Sequence, residues 1–252
     1  NPLRYQKSKT CGENIDRMGL DLLGTQNQLV QKIHETGVPT IVVLVGGRPL
    51  SVNWIAQNVQ ALVQAWEPGS LGGRALANIL AGKVNPSAKL PISIPRHSGQ
   101  IQMIYNHKPS QYFHKYIDGP STPLYPFGFG LSYTRFAYSS LKLSHTRISD
   151  KDSFTASIEL TNVGDREGTE VVQLYIRDIY SSATRPVKEL KDFARVTLKP
   201  GEKKTVTFTV TPDKLAYWNR NMQYGVEKGE FEIMIGSSSQ DKDLKKVKME
   251  VL

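Results

Sequence analysis

The spacing of apolar residues along the chain changes at the stretch Leu124-Tyr125-Pro126-Phe127-Gly128-Phe129-Gly130-Leu131-Ser132-Tyr133-Thr134. After this stretch apolar and polar residues alternate, whereas before it apolar residues form continuous runs or recur with the spacing of a helix face. Pro126 restricts its own backbone, and the two glycines beside Phe129 allow conformations that are closed to other residues. We therefore predict an inter-domain hinge over residues 120–135, pinned by aromatic side chains. An aromatic turn within a single domain is the alternative.

The composition predicts a soluble globular protein with two domains. The chain has 252 residues, of which 39% are hydrophobic and 22% are charged, and no apolar run approaches the roughly 20 residues that span a bilayer. The net charge is +9, but the basic residues are dispersed, and the densest run, Lys242–Lys248, is interrupted by Asp243. We therefore expect no nucleic-acid partner and no membrane span.

Cysteine usage limits the redox chemistry of the chain. Cys11 is the only cysteine in the sequence, which excludes an internal disulfide and a cysteine-based zinc site. This count is compatible with export, and we expect a periplasmic or secreted protein. Because the sequence begins at Asn1-Pro2 without an initiator methionine or a signal peptide, we expect a processed or truncated piece of a longer protein.

An α/β domain is predicted over residues 20–119. An apolar stripe with helix spacing ends at Gly37, and the β-branched run Thr40–Val45 is typical of a strand buried on both faces of a parallel sheet. A second strand over Gln60–Trp66 and an amphipathic helix that ends at Gly82 repeat this unit. The apolar face of that helix is expected to be buried. Ligands of such sheets bind in the loops at the carboxyl ends of the strands.

The glycine-rich loops after these strands do not indicate a nucleotide site. Neither Gly46-Gly47-Arg48-Pro49 nor Gly69-Ser70-Leu71-Gly72-Gly73 contains the G-x-G-x-x-G fingerprint or the lysine of a Walker A loop. Tight turns and close helix packing explain these glycines.

The pattern of residues 136–252 predicts an antiparallel β-sandwich about the size of an immunoglobulin-like module. Alternation with period two marks five or more half-buried strands, separated by turn residues. The alternating apolar sets are Phe154 to Leu160, Val172 to Ile176, Val206 to Val210, Phe231 to Ile235 and Val247 to Val251. This half of the sequence contains no recognisable metal cluster or nucleophile with its base, so we do not expect it to carry chemistry directly.

Five motifs in the sequence carry a resemblance to a known family. They are Cys11–Arg17, Gly47–Leu50, Ala65–Gly69 with Gly72-Gly73 and Ala75, Gly82–Pro91, and Tyr125–Tyr133. In this order and spacing they resemble the C-terminal half of glycoside hydrolase family 3, the β-glucosidase and β-xylosidase family. The resemblance covers nearly the whole chain. It implies a mostly parallel-sheet α/β sandwich domain followed by a fibronectin-III-like β-sandwich.

The resemblance also implies a function. The chain is expected to be the C-terminal portion of an exo-acting, retaining β-glycosidase of the β-glucosidase type, which releases the terminal sugar from β-linked oligosaccharides or aryl glycosides without a metal or cofactor. In this family an N-terminal (β/α)8 barrel carries the nucleophile, so a separate chain or segment with that barrel is an expected partner. A β-xylosidase of the same family and a non-catalytic carbohydrate-binding or scaffold protein are the alternatives. Glucose or xylose specificity, linkage preference and a homodimer stay open.

Residues 1–19 are expected to form an active-site loop. A retaining glycosidase needs two carboxyl groups about 5–5.5 Å apart, and the resemblance assigns the general acid/base to Glu13 of Gly12-Glu13-Asn14-Ile15-Asp16-Arg17. Asn14 and Ile15 are the candidate substrate-binding residues, with Ile15 where several relatives have an aromatic ring on the leaving-group side. Asp16 and Arg17 are expected to form an ion pair that shapes the loop. A glutamate upstream of Asn1 is the alternative acid/base.

Overall fold

The computed structural model describes residues 16–100, 103–109 and 115–252, which form two compact units. The first unit contains the described residues through Asn78, those from Ile94 to Met103, and Thr122–Tyr125. The second contains Ile79–Ser93, the described residues from Ile104 to Ser121, and Pro126–Leu252. The boundaries predicted for the loop, the α/β domain, the hinge and the sandwich stay predictions.

The first unit is built around a short parallel sheet. Its two strands pair in parallel, with Ile41 opposite Ala61 and a register shift between Leu44 and Val45. The alternation of helices and parallel strands is that of the predicted α/β class. The elements in chain order are α1 (Gln26–Glu35), β1 (Ile41–Val45), α2 (Asn53–Asn58), β2 (Ala61–Trp66) and α3 (Gly72–Leu80), of which the last two residues belong to the second unit.

Many apolar side chains of this α/β region are not buried by the described residues. Leu44, Val52 and Ile55 form a small core, but Val45 of β1 is 65% exposed and Leu29 of α1 is 60% exposed. The prediction that Thr40–Val45 is buried on both faces is wrong for the described structure, because a sheet of two strands cannot enclose its own side chains. The predicted burial of the α3 face also fails, since Gly72 is the buried residue of that helix.

The second unit contains a β-sandwich of two sheets. The strands are β3 (Phe136–Tyr138), β4 (Lys142–Leu143), β5 (Arg147–Ile148), β6 (Phe154–Asn162), β7 (Gly168–Asp178), β8 (Glu189–Leu198), β9 (Lys203–Val210), β10 (Tyr217–Trp218), β11 (Tyr224–Gly225), β12 (Gly229–Gly236) and β13 (Leu244–Val251). A five-stranded sheet has the order β5-β13-β12-β7-β8, and in the other sheet β6 pairs with β3, β4 and β9. The pairs in these two sheets are antiparallel except for β13 with β5. A short helix, α4 (Pro212–Leu215), and a 3₁₀ turn, Asp241–Asp243, complete the described elements.

The sandwich core forms from the alternating residues that the sequence indicates. Side chains from β6, β7, β9 and β12 meet in one cluster, in which Ile158, Leu174 and Ile233 are fully buried. Each strand contributes every second residue because successive side chains of a strand point to opposite faces of the sheet. The all-β class predicted for this half is confirmed.

Strand β8 (Glu189–Leu198) is absent from the sequence-based prediction. It lies at one end of the five-stranded sheet, and its sequence Glu-Leu-Lys-Asp-Phe-Ala-Arg-Val-Thr-Leu contains charges at several positions. Charged side chains are typical of edge strands, since they discourage pairing with another chain. The same charges hide the period-two pattern by which the other strands are recognised.

The stretch after Tyr125 is packed against the sandwich. Phe127 stacks on Tyr105 with ring centroids 4.1 Å apart and joins a small cluster around Tyr175 and Met234. Gly128 has φ of 78°, a conformation that glycine adopts without strain. This segment is therefore held by specific contacts within its unit, as an ordered structure rather than a loose linker.

Replacement of Gly130 by alanine tests this close packing. A Cβ at Gly130 would lie 2.3 Å from the carbonyl oxygen of Ala88, so the backbone must shift, and we expect a loss of about 1–3 kcal/mol in unfolding free energy. Urea unfolding of the chain measures the loss. Gly225→Ala is the matched control, because a Cβ there meets nothing within 4 Å and neither glycine has a positive φ. Equal stability of the two variants would contradict the prediction.

Candidate active site

The residues predicted to catalyse and to bind substrate, Glu13, Asn14 and Ile15, lie outside the described residues. The described part of their motif begins at Asp16 and Arg17. The candidate site is therefore built from these two residues and from the carboxyl ends of β1 and β2.

Asp16 pairs with a residue distant in sequence. Its carboxylate contacts the guanidinium of Arg48, which follows the carboxyl end of β1. The prediction of an ion pair between Asp16 and Arg17 is wrong, because the Arg17 guanidinium donates instead to the carbonyl of Asp21. Exposed ion pairs contribute about 0–1 kcal/mol to folding stability. The main effect of the Asp16–Arg48 contact is therefore to position Asp16. It joins the end of the 12–17 motif to the carboxyl end of β1.

The carboxyl ends of β1 and β2 have unusual backbone conformations. The Gly46 N–H donates to the Trp66 carbonyl at 2.9 Å, and Gly46 has φ of 148°. Trp66 has φ of 53°, a left-handed conformation that is rare for a bulky residue and costs about 1–3 kcal/mol. Strain of this kind persists where surrounding contacts enforce it, and it is concentrated at functional sites.

Glu67 brings a carboxylate to the same edge of the sheet. It follows Trp66 directly, and its Oε1 would lie 3.4 Å from a Cβ placed on Gly47. Arg48 and Glu67 therefore flank the loops that leave the two strands. This is the edge at which ligands of parallel sheets bind, and its charged groups can orient a polar ligand.

A cavity of about 400 Å³ lies beside this edge, within the first unit. Apolar side chains of α1, β1 and the adjoining loops form most of its wall, and Arg17 and Arg48 are among the lining residues. A cavity of this size is in the range of ligand sites. It can take either an apolar segment of polypeptide or a small ligand that accepts hydrogen bonds from the guanidinium groups.

The described ranges contain no arrangement of three or more His, Cys, Asp or Glu side chains that could hold a metal ion. None of their helices combines the length and the apolarity that a bilayer crossing requires.

The sandwich contains a buried cation that the sequence does not reveal. Arg185 donates to Glu189 at 2.8 Å, to the Leu215 carbonyl at 2.9 Å and to Asp178 at 3.3 Å. Burial raises the pKa of Asp178 above its ordinary value, although the guanidinium of Arg185 opposes this shift. The guanidinium also lies 4.6 Å from the ring centroid of Tyr217, a cation–π distance.

Glu227 forms a second polar cluster beside the Arg185 site. Its carboxylate accepts hydrogen bonds from the Ser182 hydroxyl at 2.5 Å, from the Ser182 N–H at 2.9 Å and from the Tyr217 hydroxyl. These bonds, led by the Ser182 hydroxyl, lower the pKa of Glu227. Hydrogen bonds to a carboxylate favour its ionised form.

Sequence reasoning missed the roles of three groups. Arg48 belongs to a quoted motif, but nothing in its spacing indicates Asp16 as its partner. Arg185 and Glu227 belong to no periodic pattern, and their partners come from separate loops and strands. In each case the contact partners come together only in the folded chain, so no sequence pattern identifies them.

The chain matches two domain families. Residues 4–133 match the glycosyl hydrolase family 3 C-terminal domain, and residues 170–239 match the fibronectin type III-like domain. This chain belongs to glycosyl hydrolase family 3. The resemblance inferred from its motifs is thereby confirmed.

Curated family 3 relatives are similar over almost all of this chain. A β-xylosidase of Formosa agariphila is 48% identical over 246 residues, which are 96% of this chain and 34% of that protein. A periplasmic β-glucosidase of Salmonella typhimurium is 43% identical, over 90% of this chain and 31% of that protein. The family 3 chain therefore spans about a third of the length of these relatives.

Solved structures have the same fold. A β-glucosidase from Erythrobacter marinus superposes with a TM-score of 0.91 at 42% identity, covering 98% of this chain and 32% of that one. A β-glucosidase from Listeria innocua in complex with glucose has a TM-score of 0.89 at 36% identity, covering 95% and 34%.

The variant Glu227→Gln tests whether the second polar cluster makes the stability of the folded chain depend on pH. Because hydrogen bonds lower the pKa of Glu227 below its ordinary value of 4.5, the ionised carboxylate stabilises the folded state above that pH. The contribution is lost as the pH falls through the lowered pKa. We therefore expect wild type to exceed the variant in stability near neutral pH, and the difference to shrink below pH 4.5. Urea unfolding midpoints over a pH series measure this difference.

Glu230→Gln is the control for that series, because its carboxylate lies on the surface, 3.4 Å from Lys248, in the kind of ion pair that contributes little. A stability difference for Glu227→Gln that does not change with pH would contradict the prediction.

Proposed function

We propose that this chain is the C-terminal portion of an exo-acting, retaining β-glycosidase of the β-glucosidase type. Its membership of family 3 and the names of its relatives support this activity. The observation that carries the proposal is the Asp16–Arg48 contact at the carboxyl end of β1. Asp16 stands three residues after Glu13 in the sequence, and its contact with Arg48 lies at the edge where ligands of parallel sheets bind.

Glu13 is the proposed general acid/base. As an acid it protonates the glycosidic oxygen of the leaving group, and as a carboxylate it then activates the water that releases the sugar. A carboxyl group covered by a bound sugar loses hydration, and this raises its pKa towards the range that an acid catalyst needs. Asn14 and Ile15 are proposed to contact the substrate. Two carboxyl groups suffice for this chemistry, so no metal or cofactor is proposed.

The second carboxyl group, the nucleophile, is proposed to come from a separate chain or segment that carries a (β/α)8 barrel. The length of the relatives supports this partner, since the chain spans about a third of them. The exposed apolar residues of the first unit, among them Leu29 and Val45, also support it, because contiguous exposed apolar surface marks interaction sites. An obligate contact of this kind buries more than roughly 2,000 Å².

A β-xylosidase is the second candidate, because the Formosa agariphila relative that is 48% identical has this name. Rates on aryl β-glucoside and aryl β-xyloside substrates separate the two. We also propose a periplasmic or secreted location, supported by the periplasmic relative from Salmonella typhimurium.

Glu13→Gln in the complete enzyme tests the acid/base assignment. We expect a decrease on the order of 10²–10⁴-fold for glycosides with poor leaving groups, which need the proton, and a much smaller decrease for activated aryl glycosides. Added azide should restore part of the activity and give a glycosyl azide with retained configuration. Steady-state kinetics and product analysis measure these outcomes.

Glu35→Gln is the matched control, since this glutamate ends α1 and pairs on the surface with Lys32 at 2.6 Å. We expect it to leave the kinetics unchanged. Near-normal hydrolysis of cellobiose by Glu13→Gln would contradict the assignment and point to a glutamate upstream of Asn1.

Separation and recombination test the proposed partner. The 252-residue chain and the barrel segment are expressed apart, assayed singly and then mixed after refolding. We expect hydrolysis only from the mixture, because each piece holds one of the two carboxyl groups. Hydrolysis by the 252-residue chain alone would refute the proposal.

A further inference from the structure

The β10–β11 hairpin presents an exposed aromatic face. Trp218 on β10 is 60% exposed and Tyr224 on β11 is 53% exposed, and the two residues are cross-strand partners. Their ring centroids lie 5.4 Å apart, with the ring planes tilted by 51°. Met222 in the connecting turn is 74% exposed. Large apolar side chains placed together at the surface indicate an interaction site more strongly than single ones do.

The hairpin is held rigidly beneath this face. Tyr217, the neighbour of Trp218, is fixed by the hydrogen bond from its hydroxyl to Glu227 and by the Arg185 guanidinium against its ring. Immediately before the hairpin, Leu215 and Ala216 are buried. The backbone that carries Trp218 is therefore held in place by these contacts.

The turn of the hairpin is equally ordered. The Asn219 side-chain oxygen accepts hydrogen bonds from the N–H groups of Asn221 at 2.9 Å and Gln223 at 3.0 Å, a pattern typical of asparagine in turns. Met222 adopts a left-handed conformation with φ of 57°. A binding surface that is already ordered loses little conformational entropy when a ligand binds.

The chemistry of the hairpin fits a neutral, hydroxylated ligand. Residues 217–225, Tyr-Trp-Asn-Arg-Asn-Met-Gln-Tyr-Gly, contain no carboxylate and a single charge, Arg220. The exposed side chains of Asn221 and Gln223 can donate and accept hydrogen bonds. This combination does not select a cation or a highly charged polymer. It offers flat apolar faces with hydrogen-bonding groups at their edges.

A β-linked pyranose chain has the complementary surface. In β-linked glucose and xylose the ring hydroxyls are equatorial, so each ring has apolar C–H faces and a hydroxylated edge. The 5.4 Å between the two aromatic centroids is close to the spacing of successive pyranose units in such chains.

We propose that the face formed by Trp218 and Tyr224 binds successive pyranose rings of a β-linked glycan. Trp218 and Tyr224 stack on neighbouring rings, and Asn221, Gln223 and Arg220 bond to their hydroxyls. The choice of a β-linked glycan as ligand rests on the proposed function. The aromatic geometry of the hairpin is independent of it.

The test is affinity gel electrophoresis of the complete protein through soluble mixed-linkage β-glucan and through xylan. All proteins carry Glu13→Gln, so that the polymer is not degraded. We expect the polymer to retard the parent protein, and Trp218→Ala and Tyr224→Ala each to weaken the apparent affinity on the order of tenfold, as expected for loss of a stacked ring. Trp218→Phe, which keeps an aromatic face, should retain most of the affinity.

Phe193→Ala is the matched control, because Phe193 is also 60% exposed and lies on the edge strand β8. It should be retarded like the parent. Absence of retardation of the parent by both polymers, or equal retardation of the hairpin variants and the control, would overturn the proposal. Thermal midpoints equal to that of the parent verify that the hairpin variants are folded.

Two further measurements separate this proposal from its alternatives. Hydrolysis of a small aryl glycoside, with Glu13 intact, should be unchanged in Trp218→Ala, whereas failure of the parent to hydrolyse it would count against the proposed function alone. Sedimentation of the parent and of Trp218→Ala detects a second copy as the occupant of the face. A dimer that dissociates in the variant would overturn the glycan proposal.

Discussion

The close approach of the Gly128 backbone to the Gln173 side chain is the contact on which the second unit depends. Gln173 lies in β7, and its buried amide donates to the carbonyls of Gly128 at 3.1 Å and Ser237 at 2.7 Å and accepts from Tyr175 at 2.5 Å. A Cβ at residue 128 would lie 2.1 Å from the Gln173 Oε1. Only glycine leaves room for this arrangement, and a buried amide without partners costs about 1–3 kcal/mol. Gly128 therefore allows the backbone of the aromatic stretch and the buried Gln173 side chain to form their hydrogen bond.

The same stretch is tied at its other end by polar groups of residues 82–91. Lys89 donates to the Gly130 carbonyl at 3.3 Å and lies 2.7 Å from Glu170, and both charged side chains are largely buried. Asn85 accepts hydrogen bonds from the Ser132 hydroxyl at 2.9 Å and the Tyr133 N–H at 2.8 Å. A buried ion pair adds little net stability after its desolvation. Its effect in this structure is to define a single arrangement, because either charge alone would be left unpaired in the interior.

The two units differ in how completely they bury their apolar residues. The sandwich closes one continuous core between its sheets, whereas the described part of the first unit has a small core of three buried residues. The charged edge with Arg48 and Glu67 belongs to the unit that leaves apolar surface open. The barrel segment proposed as a partner can bury these apolar residues and contact the charged edge at the same time. The sandwich encloses its own core, and the aromatic hairpin is an exposed apolar part of its surface.

The sequence by itself determined the classes of the two halves and the strands of the sandwich core, because the alternation of Phe154, Ala156, Ile158 and Leu160 is a direct consequence of strand geometry. It also determined the family, since short motifs around glycines and prolines are readable without a fold. It did not determine strand β8, whose edge position permits charges that mask the period, nor the burial of β1, which depends on how many strands flank it. The partners of Asp16, Arg185 and Glu227 were decided by the tertiary structure alone. Periodicity reports which face of an element is apolar, but a pairing between side chains distant in sequence exists only when the folded backbone brings them within a few ångströms, and no local pattern encodes that distance.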